Sequence, residues 1–131
     1  MRQPASRRHE SPNERGAVLA EFAVILPLLM LLVFGIIELS IAFNRHQAVH
    51  AAAREGARVA SIPNGPSPCG RVNDALTGIN FTTAPNCAVA GDCTGNSDSV
   101  DVTVSAPHTI SVLFIADINV TLSGEASFRC E

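Results

Sequence analysis

The sequence predicts an α+β chain in which a long apolar N-terminal helix carries a small, disulfide-stapled antiparallel β domain. Three observations carry this reading. No residue from Phe22 to Ile37 is charged, and the apolar character continues to Phe43 with only Glu38 and Ser40 intervening. All four cysteines, Cys69, Cys87, Cys93 and Cys130, follow that run and none precedes it. Near the C-terminus, apolar and polar residues alternate with the period of two that marks a half-buried strand.

The helix comes first. At ~1.5 Å per residue, Ala17 to Phe43 outspans a hydrocarbon core of roughly 30 Å, so the segment is long enough to cross a bilayer. Pro27 lies inside it and removes one backbone hydrogen bond, which favours a kink. Glu21 is the anomaly: a carboxylate on a membrane helix is costly and reads as functional unless it sits at the wetted headgroup level. Glu38 lies ~25 Å further along the axis, at the opposite edge of the span.

Residues 1–16 form a short polar leader containing Pro and Ser, a composition expected to be disordered. A conventional secretory signal would have a shorter apolar core followed by a small-x-small cleavage site. Here the run is longer and leads into Asn44-Arg45-His46, which favours an anchor that stays. Arg2, Arg7, Arg8 and Arg15 hold the N-terminus cytoplasmic under the positive-inside rule, a bias that Arg45, Arg54 and Arg58 on the other flank weaken. The cysteines decide the orientation. An even set confined to one side fits an oxidising compartment, whereas buried thiols would be the alternative. Three connectivities are open and spacing does not choose among them; Cys69 with Cys87 and Cys93 with Cys130 is the pairing favoured here.

Charge narrows the function classes. The chain of 131 residues carries a net charge of −3, and its nine basic residues are all arginine. Four arginines against two glutamates give the leader a surplus of about two positive charges, so the remainder is near −5, an acidic balance that argues against nucleic-acid binding.

Beyond the membrane the helix is expected to continue. Asn44 to Ala60 is rich in alanine, contains no proline, and places Val49, Ala52, Gly56 and Val59 along one face. A stripe of such small side chains admits close approach of another backbone, from a partner subunit or from the chain's own head. Arg54 and Arg58 share a different face, where Glu55 stands three residues from Arg58 and can pair with it. Pro63, Gly65, Pro66 and Pro68 then read as a helix stop and a linker. The predicted organisation is thus a leader (1–16), a membrane helix with its extension (17–62) and a head (63–131).

In the head, Val72 to Ile79 is compatible with a short helix, and the Gly-, Asn- and Asp-rich stretch from Asn86 to Ser99 with a loop. Val100, Val102 and Val104 alternate with polar residues, as do Ile118, Val120, Leu122, Gly124, Ala126, Phe128 and Cys130; these two strands are expected to pair. Between them Ile110 to Ile115 is apolar without a clear period and fits either a third strand or a hydrophobic tip. A head of about seventy residues buries a small core, and two disulfides would compensate.

No catalytic constellation is present. His46 and His50 have i, i+4 spacing but no HExxH pattern and no adjacent third ligand, so neither a metal nor any other cofactor is expected. His108, beside Pro107, reads as a turn residue. No phosphate-binding glycine loop or GxSxG occurs. Asn80-Phe81-Thr82 and Asn119-Val120-Thr121 match the glycosylation sequon, a short pattern with a high chance rate.

Four motifs occur in order along the first half: Glu21-Phe22-Ala23, Pro27-Leu28-Leu29, Gly35-Ile36-Ile37-Glu38, and Ala52-Ala53-Arg54-Glu55-Gly56-Ala57-Arg58. With a glycine five residues before Glu21, they resemble the TadE-like pseudopilins of tight-adherence (type IVc) pilus systems, over Gly16 to about Ile62. Phe22 departs from the tyrosine common there in the major pilins. The resemblance implies a pilin-like helix, no enzymatic activity, and cleavage by a prepilin peptidase between Gly16 and Ala17. It also implies a subunit-assembly role for Glu21, as ionic partner of the new amine of a neighbouring subunit. The implied partners are the lipid bilayer, the peptidase, other pilins and pseudopilins, and the tight-adherence assembly machinery. The protein would be single-pass, with a cytoplasmic N-terminus and an extracytoplasmic head. The competing reading is a membrane-tethered scaffold of an envelope complex that never enters a fibre.

Overall fold

The computed structural model describes residues 12–95, 98–112 and 116–130. The order of elements is α1 (Pro12–Ala60), α2 (Pro68–Ala75), β1 (Asn86–Ala90), β2 (Ser99–Val112) and β3 (Ala116–Arg129), and the strands form one antiparallel sheet in the order β1-β2-β3. This is the expected α+β architecture, with two differences in the sheet.

One helix of 49 residues runs through the apolar segment and its polar extension, passing Pro27 without a break. The described part of this helix begins at Pro12, so residues 12–16 at the end of the leader are helical and not disordered as expected. At the other end Asn64 takes a positive φ of 58°, and the amide of Gly65 donates to the carbonyl of Ile62, turning the chain out of the helical path.

α2 begins four residues earlier than the expected Val72. Ser67 caps it, its hydroxyl accepting from the amide of Gly70 at 3.2 Å, and Pro68 occupies the first turn. Pro68, expected in the linker, is instead the first residue of α2, and Ser followed by Pro is a helix-start signal.

In the sheet, β2 and β3 pair over their whole length, from Ser99↔Arg129 to Val112↔Ala116. The apolar residues Ile110 to Val112 are therefore the end of β2 and not a separate strand, while 113–115 lie outside the described residues. The third strand is β1, inside the stretch expected to be loop, with Cys87 opposite Val104 and Val89 opposite Val102. Its apolar run is short and ends at Gly91, which has a φ of 84°, so the turn residues after it masked the strand.

The alternation in β2 resolves into two faces. Val100, Val102, Val104, Ala106 and His108 are buried on one face, and the intervening residues are exposed or half-buried. α1 meets this face with its small residues: Val49, Ala52, Ala53 and Ala57 join Val72, Leu76, Val102, Val104, Ala106 and Ala126 in one core. The upper part of α1 is thus a structural element of the head. Side chains no larger than valine let the helix lie close on the sheet, and two glycines mark the tightest points. A Cβ on Gly56 would stand 2.6 Å from Val72 Cγ2, and one on Gly124 would stand 2.9 Å from the His50 backbone. Two disulfides close the head, Cys69–Cys87 joining α2 to β1 and Cys93–Cys130 joining the β1–β2 connection to the end of β3.

Candidate functional site

α1 presents two chemically distinct halves. From Gly16 to Ile37 every residue is exposed around the full circumference of the helix, with Val24 77% and Leu28 69% accessible. The apolar window of this helix has a mean hydropathy of 2.7, and it is the one helix among the described residues long and apolar enough to cross a membrane. A cylinder of this length with no apolar cover from the described residues requires lipid or other helices around it.

Gly16, Ala17 and Glu21 all lie on this bare half, exposed and well below the head. Ala17 and Glu21 are four residues apart, so they share one helix face with about one turn between them. A Cβ on Gly16 would meet nothing within 4 Å, so no packing within the chain requires glycine there.

The bare half ends where the head begins to cover it. Glu38 is half-buried and Ala42 buried, followed on the same face by half-buried Arg45 and buried Val49. At this junction Arg45 Nη1 donates to His108 Nδ1 at 2.6 Å and lies 3.2 Å from Nε2. His108 is a buried residue of β2 paired with Val120, not a turn residue as expected. Burial lowers its pKa below the ordinary 6.5, and the Arg45 charge lowers it further while Glu38 opposes both. Extending the period of Val100, Val102 and Val104 by two pairs would have put His108 on the inner face; the proline beside it obscured that signal.

Above the junction the charged face of α1 is used differently from expectation. Glu55 pairs with Arg71 of α2, whose Nη2 is 2.9 Å away, rather than with Arg58. The arrangement ties α2 to α1 across an exposed surface, where a screened pair contributes little energy. Arg54 donates to the His50 carbonyl at 3.5 Å. The rings of His46 and His50 meet edge to face with centroids 4.5 Å apart, and among the described residues no group of three metal-ligating side chains occurs. Of the two sequon asparagines, both exposed, Asn119 already accepts a hydrogen bond from the Thr109 hydroxyl at 2.8 Å.

The four cysteines sit far from Glu21, all in the head, and serve as staples. The site is therefore a surface rather than a cleft: an exposed apolar helix half with Glu21 near its start, continuous with the helix extension that packs into the small head.

Such a chain is a helix-anchored protein with a compact α+β head. Residues 16–58 match the model of the family described as TadE-like protein, a stretch that covers the apolar helix and most of the small-residue face on which the head docks. No curated protein and no solved structure matches the chain. The match ends at Arg58, before α2 and the sheet, so the head lies outside the part that the family describes.

Proposed function

We propose that the protein is a TadE-like pseudopilin or minor pilin that contributes to assembly of a tight-adherence pilus or a related secretion machine. The single observation that carries this reading is the coincidence of the TadE-like match with a bare apolar helix that has Gly16, Ala17 and Glu21 at its start. In this reading a prepilin peptidase removes residues 1–16, Ala17 supplies the new amine, and Glu21 receives the amine of a neighbouring subunit. Each charge would otherwise stand alone in lipid, so the pair offsets two desolvation costs at once. The bare half of α1 first lies in the bilayer and later among the helices of neighbours, and the head projects outside the cytoplasm. The helix and head then have separate tasks, packing and presentation.

Intact-mass measurement of the chain from a membrane fraction tests the proposal. In a host with an active prepilin peptidase the mature protein starts at Ala17, and Gly16→Ala slows or abolishes the cut. A chain that keeps residues 1–16 in such a host would favour the tethered scaffold.

A further inference from the structure

The sheet has two edges of different make. β1 ends opposite Ser105, and beyond it Pro107 of β2 has no N–H to offer, while the amide of Thr109 is taken by the Thr82 hydroxyl at 3.3 Å. That side offers a further strand only the five residues of β1. β3 forms the other edge along its whole length. The Thr109 amide points away from β3, so Thr109↔Asn119 is a non-hydrogen-bonded pair, and alternation turns the backbone N–H and C=O of every second residue from Asp117 to Arg129 outward. The Cys130 amide, which donates to the Asp98 carbonyl at 3.1 Å, fits the same phase. Among the described residues no group bonds to these outward N–H and C=O groups. β3 also lacks the usual defences of an edge, since its register with β2 is unbroken and it contains neither proline nor lysine.

The side chains of β3 complement a second β3. Two copies laid antiparallel about Ser123 put exposed Asp117 opposite exposed Arg129 at both ends, and leave the third charge, Glu125, opposite Thr121. On the inner face the same centre puts Ile118 opposite Phe128. At 51% and 39% exposed, these are the large apolar residues that β3 leaves uncovered. A slip of two residues, the smallest that keeps the faces matched, separates both pairs. Room for the partner follows from the burial. Val102, Val104 and Ala106 of β2 are fully buried, whereas Val120 and Leu122 of β3 are half-buried, so the outer margin of this face is the part left open.

We infer that the free edge of β3 is a contact between two copies of this chain, joined antiparallel about Ser123 into one continuous sheet. Direction gives the contact its meaning. Val102 lies by Gly56, and Gly124, paired with Val104, by His50, so β2 runs antiparallel to α1 and β3 parallel to it. Antiparallel β3 strands therefore send the two apolar helix halves out at opposite ends. With α1 crossing a bilayer, the contact joins copies anchored in two facing membranes and not neighbours in one.

Sedimentation equilibrium of the full chain in detergent should show a monomer–dimer equilibrium. Asp117→Arg or Arg129→Asp alone sets like charges opposite each other at both ends and should weaken the dimer about tenfold, and the two changes together should restore it. Ser123→Pro, which removes an outward N–H that the described chain does not use, should abolish it. Phosphatidylcholine vesicles carrying the chain should cluster, as read by light scattering, and vesicles carrying Asp117→Arg should not. A chain that stays monomeric would overturn the inference. So would a dimer indifferent to all three substitutions, which would place the contact on α1. A dimer in detergent without clustering of vesicles would overturn the antiparallel arrangement. None of these readouts depends on cutting after Gly16, so they stand or fall apart from the pilus reading.

Discussion

Gly124 of β3 and His50 of α1 meet backbone to backbone, so that a Cβ on Gly124 would stand 2.9 Å from both the Cα and the amide nitrogen of His50. Glycine at this point sets the distance between the sheet and the helix, because any side chain would push the two layers apart along the row of Val49, Ala52 and Ala126 that packs beside it. Gly124→Ala is therefore an overpacking change and should cost about 1–3 kcal/mol. Ser123→Ala, at an exposed position next door, should stay within about 0.5 kcal/mol. Denaturant unfolding of the purified chain in detergent compares the two, and equal midpoints would show that the layers separate freely.

Covalent closure matters for a head this small. The bridges enclose sequence separations of 18 and 37 residues, for which chain entropy gives about 3 and 4 kcal/mol. Replacing either pair with serine should remove most of that, a large share of the stability of a domain this size. In the unmodified protein all four thiols should resist alkylation until a reductant is added. Rapid labelling without reductant would contradict both bridges and the oxidising compartment inferred from them.

These features were unevenly legible in the sequence. The apolar run and the strict alternation in β3 gave away α1 and the main hairpin, because each is a long periodic signal with one physical cause. β1 stayed hidden because a five-residue edge strand is too short to show a period and is followed at once by turn residues. The small-residue face of α1 was visible, but whether a neighbour or the chain's own sheet would fill it depends on tertiary contacts that no local pattern encodes. Glu55 illustrates the same limit. Arg58 is near in sequence, yet α2 brings Arg71 within 2.9 Å. Glu21 stands out in the sequence as a carboxylate on an apolar helix, whereas the roles proposed for Gly16 and Ala17 come only from the resemblance, and all three are exposed.

His108 should make the head sensitive to acid. Its folded pKa lies below 6.5, first because of burial and then because of the Arg45 charge, with Glu38 acting in the opposite sense. The unfolded chain therefore takes up a proton at His108 more readily than the folded chain. Stability from the neutral ring is complete above the unfolded value and is lost as pH falls from there toward the folded value. Melting temperature of the chain in detergent should drop as pH falls through about 6.5 and below, and His108→Gln should flatten that part of the profile. An unchanged slope in the variant would assign the effect to other groups.

Glu21 separates assembly from anchoring. It is exposed on the bare half of α1, one turn from Ala17. If it receives the amine of a neighbouring Ala17, Glu21→Ala leaves that amine unpartnered in lipid and removes the contact that registers one subunit on the next. Insertion should be unimpaired, since loss of a carboxylate makes the span more apolar. Cleavage should also persist, because Gly16 and Ala17 remain. Piliation should nevertheless fall sharply, while Glu21→Asp, which keeps the charge on a shorter stem, should retain part of it. Filament yield after shearing, measured beside immunoblots of the membrane fraction, reads these outcomes separately. Normal piliation with Glu21→Ala as the only copy would favour a tether, for which the carboxylate is a wetted residue at the inner headgroups and α1 only an anchor.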